Sequence, residues 1–504
     1  MEPPPAGVTR RRSRLTDVLD PDGFDDVEWA REMSALAVGA AKLAAYEAAM
    51  VASMAARRPA SADRSPDQPG HRVAGWTPGE PPPVQVSEFF VDELALARGI
   101  SVTAASRLLE RSLVLVHELP DTWGALADGL VDPPRAAAIA RALGGQSVAA
   151  GGKVAPGVVA EVEAQALEWA LAGETPRRLQ ERTAAALIAL DEAAADRRRK
   201  KAEANADVVT RATADGMGQL IADLPMPVAA ACREAVDGYA RMAKADGDTR
   251  PIGQLRTQIM ADLILRPWDT SREPVTAHLR VIAPLPVLGD QREPGADVRV
   301  PTDDDAASVE GAPITAGQLR ALLEQLDALC PGGLQAPVGG SLGIDLTDPA
   351  SGALRATVSR PELERLVRRG CRVHPAGDCG CAVLTAPPPV DRYTPTPAQQ
   401  RFVKARDRTC RHPGCRRPAR WTDTDHVTAH ADGGPTDCGN LCSLCRRHHR
   451  LKTHAPGWRF TMTDDGTLTV TTPSGVTRTT RPPGSRLPEI HAPAPDDEHD
   501  TPPF

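Results

Sequence analysis

Between Val27 and Met54, apolar residues (Trp29, Met33, Leu36, Ala40, Leu43, Met50 and Met54) recur at intervals of three, four or seven. That period fits one face of a helix, and a stripe of this kind is expected to be core. Residues 57–86 lose the pattern and gain Pro, Gly, Ser and Asp, which reads as a linker. From Glu88 to about Arg199 the helical period returns. Ser101 caps a helix carrying Leu108, Leu109, Leu113 and Val116, and Pro120 and Pro133-Pro134 punctuate the run. Thr175-Pro176 opens another helix with Pro in its first turn. No basic recognition face stands out, so a helical bundle is expected here in preference to a helix–turn–helix reader. The Arg197–Lys201 run reads as a helix end, where cations suit the dipole.

The period shortens to two in Asp207–Leu224, a predicted hairpin turning at Asp215-Gly216. Helices are expected at about 227–244 and 252–265, a strand at 275–285, and a Pro- and Asp-rich loop at about 286–312. Thr315 with Gln318 makes a capping box before Leu319, Leu322, Leu323 and Leu326. A strand pair flanks the turn Asp348–Gly352. Ser359 with Glu362 makes another capping box, on a helix ending at Gly370. Thr396-Pro397-Ala398-Gln399 opens a helix through Phe402 and Val403. After residue 457, Trp458, Phe460, Met462, Leu468 and Val470 alternate as a small meander. The predicted class is α+β. A disordered lead spans 1–26, a mainly helical region 27–385, a compact module 392–456 and the meander 457–480. A Pro-rich acidic tail, also expected to be disordered, closes the chain at 481–504.

Length alone changes little: 504 residues suggest two to four domains. No uninterrupted apolar run of membrane length occurs, and the basic Arg10–Arg12 is followed by no apolar stretch. A cytoplasmic protein without a membrane segment is therefore expected. Charge is more informative. The chain carries a net −7, yet Arg401–Phe460 holds thirteen Lys or Arg against five Asp. A basic module in an acidic chain is the footprint of a polyanion partner. Arg411, Arg416, Arg417, Arg446, Arg447, Arg450 and Lys452 are the candidate nucleic-acid contacts.

The candidate chemistry lies in the same stretch. Residues 410–454 hold five of the ten cysteines and six of the twelve histidines. Cys410 and Cys415 flank a Pro-Gly turn, and Cys445 and His448 form a second close pair. Two short-spaced pairs of soft ligands suit a closed tetrahedral zinc site. Cys438 and Cys442 fall out of phase with these ligands and read as packing residues. Cys371, His374, Cys379 and Cys381 offer two readings, a second zinc site or a Cys-rich turn. The strained C-x-C spacing counts against the metal.

A second set, Asp425-His426, Asn440 and His449, is interleaved with the zinc ligands. With the Gly433-Gly434 turn and the Cys445-x2-His448-His449 run, it resembles the HNH endonuclease motif over about fifty residues. His448 departs from the family's frequent C-x2-C second pair, and imidazole is a good zinc ligand. The resemblance implies two strands and a helix around one divalent cation, Mg²⁺ or a small transition metal. It implies that Asp425 and His449 hold that cation, that His426 is the general base and that Asn440 orients the loop carrying it. The expected activity is hydrolysis of DNA phosphodiesters, RNA remaining open. His430 and His454 read as phosphate-contacting or solvent-exposed imidazoles. The region 27–385 resembles, more weakly, a helical domain of unknown function that precedes HNH modules in a repeat-type family of high-GC bacteria. That likeness rests on helix order and on the Asp215-Gly216 and Asp348–Gly352 turns, and it assigns no activity. Two other readings stand beside the enzyme. One is a zinc-stabilised DNA-binding protein without turnover. The other is an assembly protein self-associating through its N-terminal helices.

Overall fold

The computed structural model describes residues 21–63, 86–144, 156–204, 206–265, 281–282, 307–309, 312–325, 328–330, 333–335, 342–348, 351–359 and 385–485. The predicted disordered ends, the capping box at Ser359 and the Cys371–Cys381 group lie, wholly or largely, outside these residues. The protein is mixed α/β, with helices and several short antiparallel sheets. It divides into two compact units at Arg199/Lys200.

The first unit is helical: α1 (Asp26–Ala56), α2 (Phe90–Arg98), α3 (Val102–Leu113), α4 (Pro120–Asp128), α5 (Pro133–Leu143), α6 (Pro156–Leu171) and α7 (Pro176–Leu190). Helix α8 (Glu192–Ala204) carries the basic run across the boundary. The caps are those the sequence predicts. Ser101 accepts from Ala104 N, and Pro120, Pro133 and Pro176 occupy first-turn positions. Leu119, Leu126, Ile139, Leu143, Leu179 and Leu187 form the main core. At the ends of the predicted linker, Pro59 pairs with Val86 and Ser87 N donates to Arg58 O, and residues 64–85 lie outside the described residues.

The α1 stripe is a correction. Trp29 is 57 % exposed, and Met33, Leu36, Ala40, Leu43 and Met50 are exposed too. The buried face is instead Ala41, Ala45, Ala48, Val51, Ala52 and Ala55. Small side chains let a neighbour approach the backbone, and the Trp123 indole nitrogen donates to Ala45 O at 3.1 Å. An 18-residue window of α1 has a mean hydropathy of 1.4, long and apolar enough to cross a membrane by length and composition. The criterion of an uninterrupted run passes over it, because charged residues interrupt the helix.

The second unit begins with the expected hairpin, β1 (Val208–Ala212) and β2 (Gly218–Ala222), turning through Asp215 and Gly216 at positive φ. Helices α9 (Met226–Ala245) and α10 (Ile252–Leu265) follow. Strands β3 (Val281–Ile282), β4 (Ala307–Val309) and β5 (Ala312–Ile314) make a small sheet. The last two correct the loop expected to run to residue 312. Both predicted bonds of the Thr315–Gln318 capping box open α11 (Ala316–Gln325). A short pair, β6 (Leu329–Cys330) and β7 (Gly333–Leu334), precedes the hairpin of β8 (Gly343–Thr347) and β9 (Leu354–Ser359).

Residues 385–485 carry α12 (Pro397–Asp407), the antiparallel pair β10 (Thr422–His426) and β11 (Leu441–Cys445), and α13 (Arg446–His454). The meander β12 (Arg459–Met462), β13 (Leu468–Thr471) and β14 (Thr477–Thr480) follows. The Thr396–Gln399 capping box opens α12.

A buried charge knot joins these pieces. Asp407 is fully buried and accepts from Arg406 Nε (2.8 Å), Arg411 Nη1 (3.1 Å) and Ser443 N (2.7 Å). Arg406 also donates to the carbonyls of Cys438 and Leu441, and Arg411 to those of Gly466 and Thr480. Helix α12, the 410–415 turn, β11 and the meander thus share one set of bonds. Arg411 is 2 % exposed and has no face for a nucleic acid, which removes it from the expected contacts. Removing one member of a buried pair strands its partners' charge. Asp407→Ala should destabilise this region by about 3–5 kcal/mol in denaturant unfolding. A loss below about 1 kcal/mol would mean the knot is not essential to its stability.

Candidate metal centre and adjoining histidine cluster

The first pair of sulfurs sits on a knuckle. Cys410 N donates to Arg417 O (2.8 Å) and Cys415 N to His412 O (3.0 Å), while Gly414 takes the positive φ the turn requires. Arg411 N bonds Ser443 O at 2.8 Å and docks the knuckle on β11. Cys445 ends β11 as the N-cap of α13, and His448 lies in the first turn of that helix. These elements bring one ligand atom each from Cys410, Cys415, Cys445 and His448 within 4.8 Å of one another. His448 Nδ1 is 3.3 Å from the sulfurs of both Cys410 and Cys445. Tetrahedral zinc, with bonds of about 2.0–2.3 Å, sets its ligand atoms roughly 3.3–3.8 Å apart. The Cys3His cluster fits a metal such as zinc in donor type and spacing.

The thiols are already differentiated. Hydrogen bonds from the Cys410 and Cys415 thiols hold Cys445 well below the usual thiol range, with His448 adding to the effect. Burial pushes Cys410 up. Cys438 and Cys442 stand outside the cluster, pushed by burial to about 11 and about 12. Cys438 packs with Phe402, Val403 and Leu441, as the sequence predicts for a small core residue. His412, which the sequence did not single out, stacks on His448 with ring centroids 3.9 Å apart.

On the other side of α13 lies the second set. Asp423 and Asp425 alternate along β10 and share one face. His449 Nδ1 lies 2.8 Å from Asp423 Oδ2, a contact that needs a donated N–H. Its Nε2 faces Asp425 Oδ1 at 3.5 Å. Lys452 Nζ is 3.0 Å from the other Asp425 oxygen. Asp423 was absent from the sequence-derived set. Its signal was the period-two repeat of Asp in Thr422–Asp425.

His426 is buried against Tyr393, whose ring stacks on it at 5.5 Å, and it meets His430 edge-on at 5.7 Å. Burial lowers its pKa, Asp425 acts against that, and His430 and Lys452 reinforce it. Asn440 pins the intervening loop. Its Oδ1 accepts from Thr428 N (2.9 Å), and its Nδ2 donates to Thr428 O (3.0 Å) and Pro435 O (2.9 Å). A Cβ at Gly434 would come within 2.0 Å of Thr428 O, so only glycine fits this crossing.

The structure therefore brings Asp425, His426, Asn440 and His449 together at the β10–β11–α13 junction. Of the remaining cationic candidates, Arg416, Arg417 and Arg446 are exposed and Arg447 and Arg450 are half-buried. Lys452 is engaged with Asp425.

The fold and site thus define a mixed α/β protein with a C-terminal Cys3His cluster able to hold a metal. No family model matches the chain. It is similar to the uncharacterized protein Rv2100 of Mycobacterium tuberculosis (strain ATCC 25618 / H37Rv), 36% identical over 208 residues, covering 39% of this chain and 35% of that protein. It is also similar to the uncharacterized protein Rv3776 of the same strain, 41% identical over 128 residues, covering 25% of this chain and 23% of that protein. The matches span about a third or less of the length of these curated relatives. No solved structure matches.

Metal analysis of the purified chain should find about one zinc in the Cys3His cluster. Cys445→Ser should lower zinc affinity by more than tenfold, whereas Cys442→Ser should keep the metal. Equal zinc content in both variants would contradict this ligand set.

Proposed function

We propose that the chain is a metal-dependent endonuclease of the HNH type, acting on DNA phosphodiesters. The observation that carries the reading is the convergence at one strand–helix junction. His449 Nε2 faces Asp425 Oδ1 at 3.5 Å, His426 is the next residue on the same strand, and Asn440 clamps the loop between them. Beside them, the zinc-ligand cluster would fix the start of α13.

Each residue then has one task. Asp423 orients His449 through Nδ1, leaving Nε2 for coordination. A divalent cation held by Asp425 and His449 would supply Lewis-acid stabilisation of charge on the phosphoryl oxygens and the leaving oxygen. His426 takes the proton of the attacking water, and burial keeps its imidazole neutral and ready to accept it. Arg416, Arg417, Arg446, Arg447 and Arg450 would line the backbone path, within a stretch of thirteen Lys or Arg against five Asp. The first unit would supply targeting or assembly. The exposed apolar residues of α1 support self-association there.

One contact favours the second reading, a zinc-stabilised DNA-binding protein without turnover. Lys452 already neutralises Asp425 at 3.0 Å, as a permanently filled cation position would. Plasmid assays separate the two. His426→Ala should reduce nicking by roughly 10²–10⁴-fold while leaving DNA binding in a gel shift intact. A wild-type protein that binds plasmid but leaves it uncut in Mg²⁺ and Mn²⁺ would favour the binding module.

A further inference from the structure

Thr436 attracts no notice in the sequence, yet it is buried against His426. Its backbone is fixed twice: its carbonyl accepts from Val390 N (3.1 Å) and from Gln399 Nε2 (2.9 Å). The first of these bonds belongs to a bridge between Val390 and Thr436, which brings residues 390–393 alongside. That segment supplies two groups to the same place. Tyr393 stacks on His426, and the carbonyl of Arg392 meets the Thr436 hydroxyl.

The hydroxyl lies between the Arg392 carbonyl and His426 Nε2, the latter at 2.8 Å. It has one hydrogen to give. The carbonyl oxygen can only accept, and two oxygens in close contact repel unless a hydrogen lies between them. The hydrogen is therefore directed to Arg392. What the hydroxyl offers His426 is a lone pair, so Nε2 must be the protonated nitrogen. In the neutral ring the remaining lone pair is then on Nδ1.

We propose that Thr436 is a positioning residue. It relays the Arg392 carbonyl to His426, fixes the Nε2–H tautomer and so leaves Nδ1 as the atom that accepts a proton. The role of that proton rests on the endonuclease reading; the tautomer does not.

The test uses the full, zinc-loaded chain labelled with ¹⁵N-histidine. Long-range ¹H–¹⁵N spectra at a pH where the ring is neutral distinguish the two tautomers, with His426 assigned by its absence in His426→Gln. Wild type should show Nε2–H. Thr436→Ser should keep it, and Thr436→Val should populate both tautomers. In plasmid cleavage, Thr436→Val should lower kcat on the order of tenfold or more with KM little changed, and Thr436→Ser should recover most of the rate. An Nδ1–H ring in wild type overturns the proposal, even if Thr436→Val does not fold. An unchanged tautomer in a folded Thr436→Val variant overturns it too. If wild type shows Nε2–H that depends on Thr436 but cuts no DNA, the positioning stands and the endonuclease reading falls.

Discussion

Two adjacent histidines on one short helix must point in different directions, and the C-terminal module is arranged around that constraint. Successive helical side chains diverge by about 100°. His448 turns into the sulfur cluster, so His449 is delivered to the acids of β10. The cluster fixes the start of α13 because Cys445 is at once a ligand candidate and the helix N-cap. A metal there would do more than stabilise a small module. It would set the angle at which His449 meets Asp425. The Asp407 knot secures the other side, tying the cysteine knuckle to β11 and the meander through Arg406 and Arg411.

Around that frame, polar groups are directed by partners with fixed donor or acceptor character. Asp423 accepts a hydrogen bond from His449 Nδ1 and turns the ring so that Nε2 faces Asp425. Asn440 uses all of its amide on Thr428 and Pro435, across a gap that closes only because Gly434 has no side chain. Lys452 balances Asp425 from one turn further along α13. The arrangement concentrates opposite charges at one strand–helix junction, where an added cation would compete with the lysine for Asp425.

Much of this was legible in the sequence because short-range chemistry sets it. Ligand spacing gave the Cys3His cluster, and local turn residues gave the caps at Ser101, Thr315 and Thr396. The misreadings have a common cause in partners distant along the chain. Trp29 and Met33 form a sound amphipathic stripe, but the helix buries its alanines, whose small size admits the Trp123 indole. Arg411 looks like its exposed neighbours Arg416 and Arg417 until Asp407, Gly466 and Thr480 surround it. Thr436 gains its place from a strand bridge to Val390, forty-six residues earlier in the sequence.

The central claim is that one module uses two metals for different purposes, one built in and one brought to Asp425 and His449. The most direct test is cleavage of supercoiled plasmid by protein whose zinc content has been measured, with and without added Mg²⁺ or Mn²⁺. The account predicts nicking by the zinc-loaded chain only when the second cation is present, with zinc content unchanged throughout. Equal nicking without the added cation, or none with it, would contradict the account.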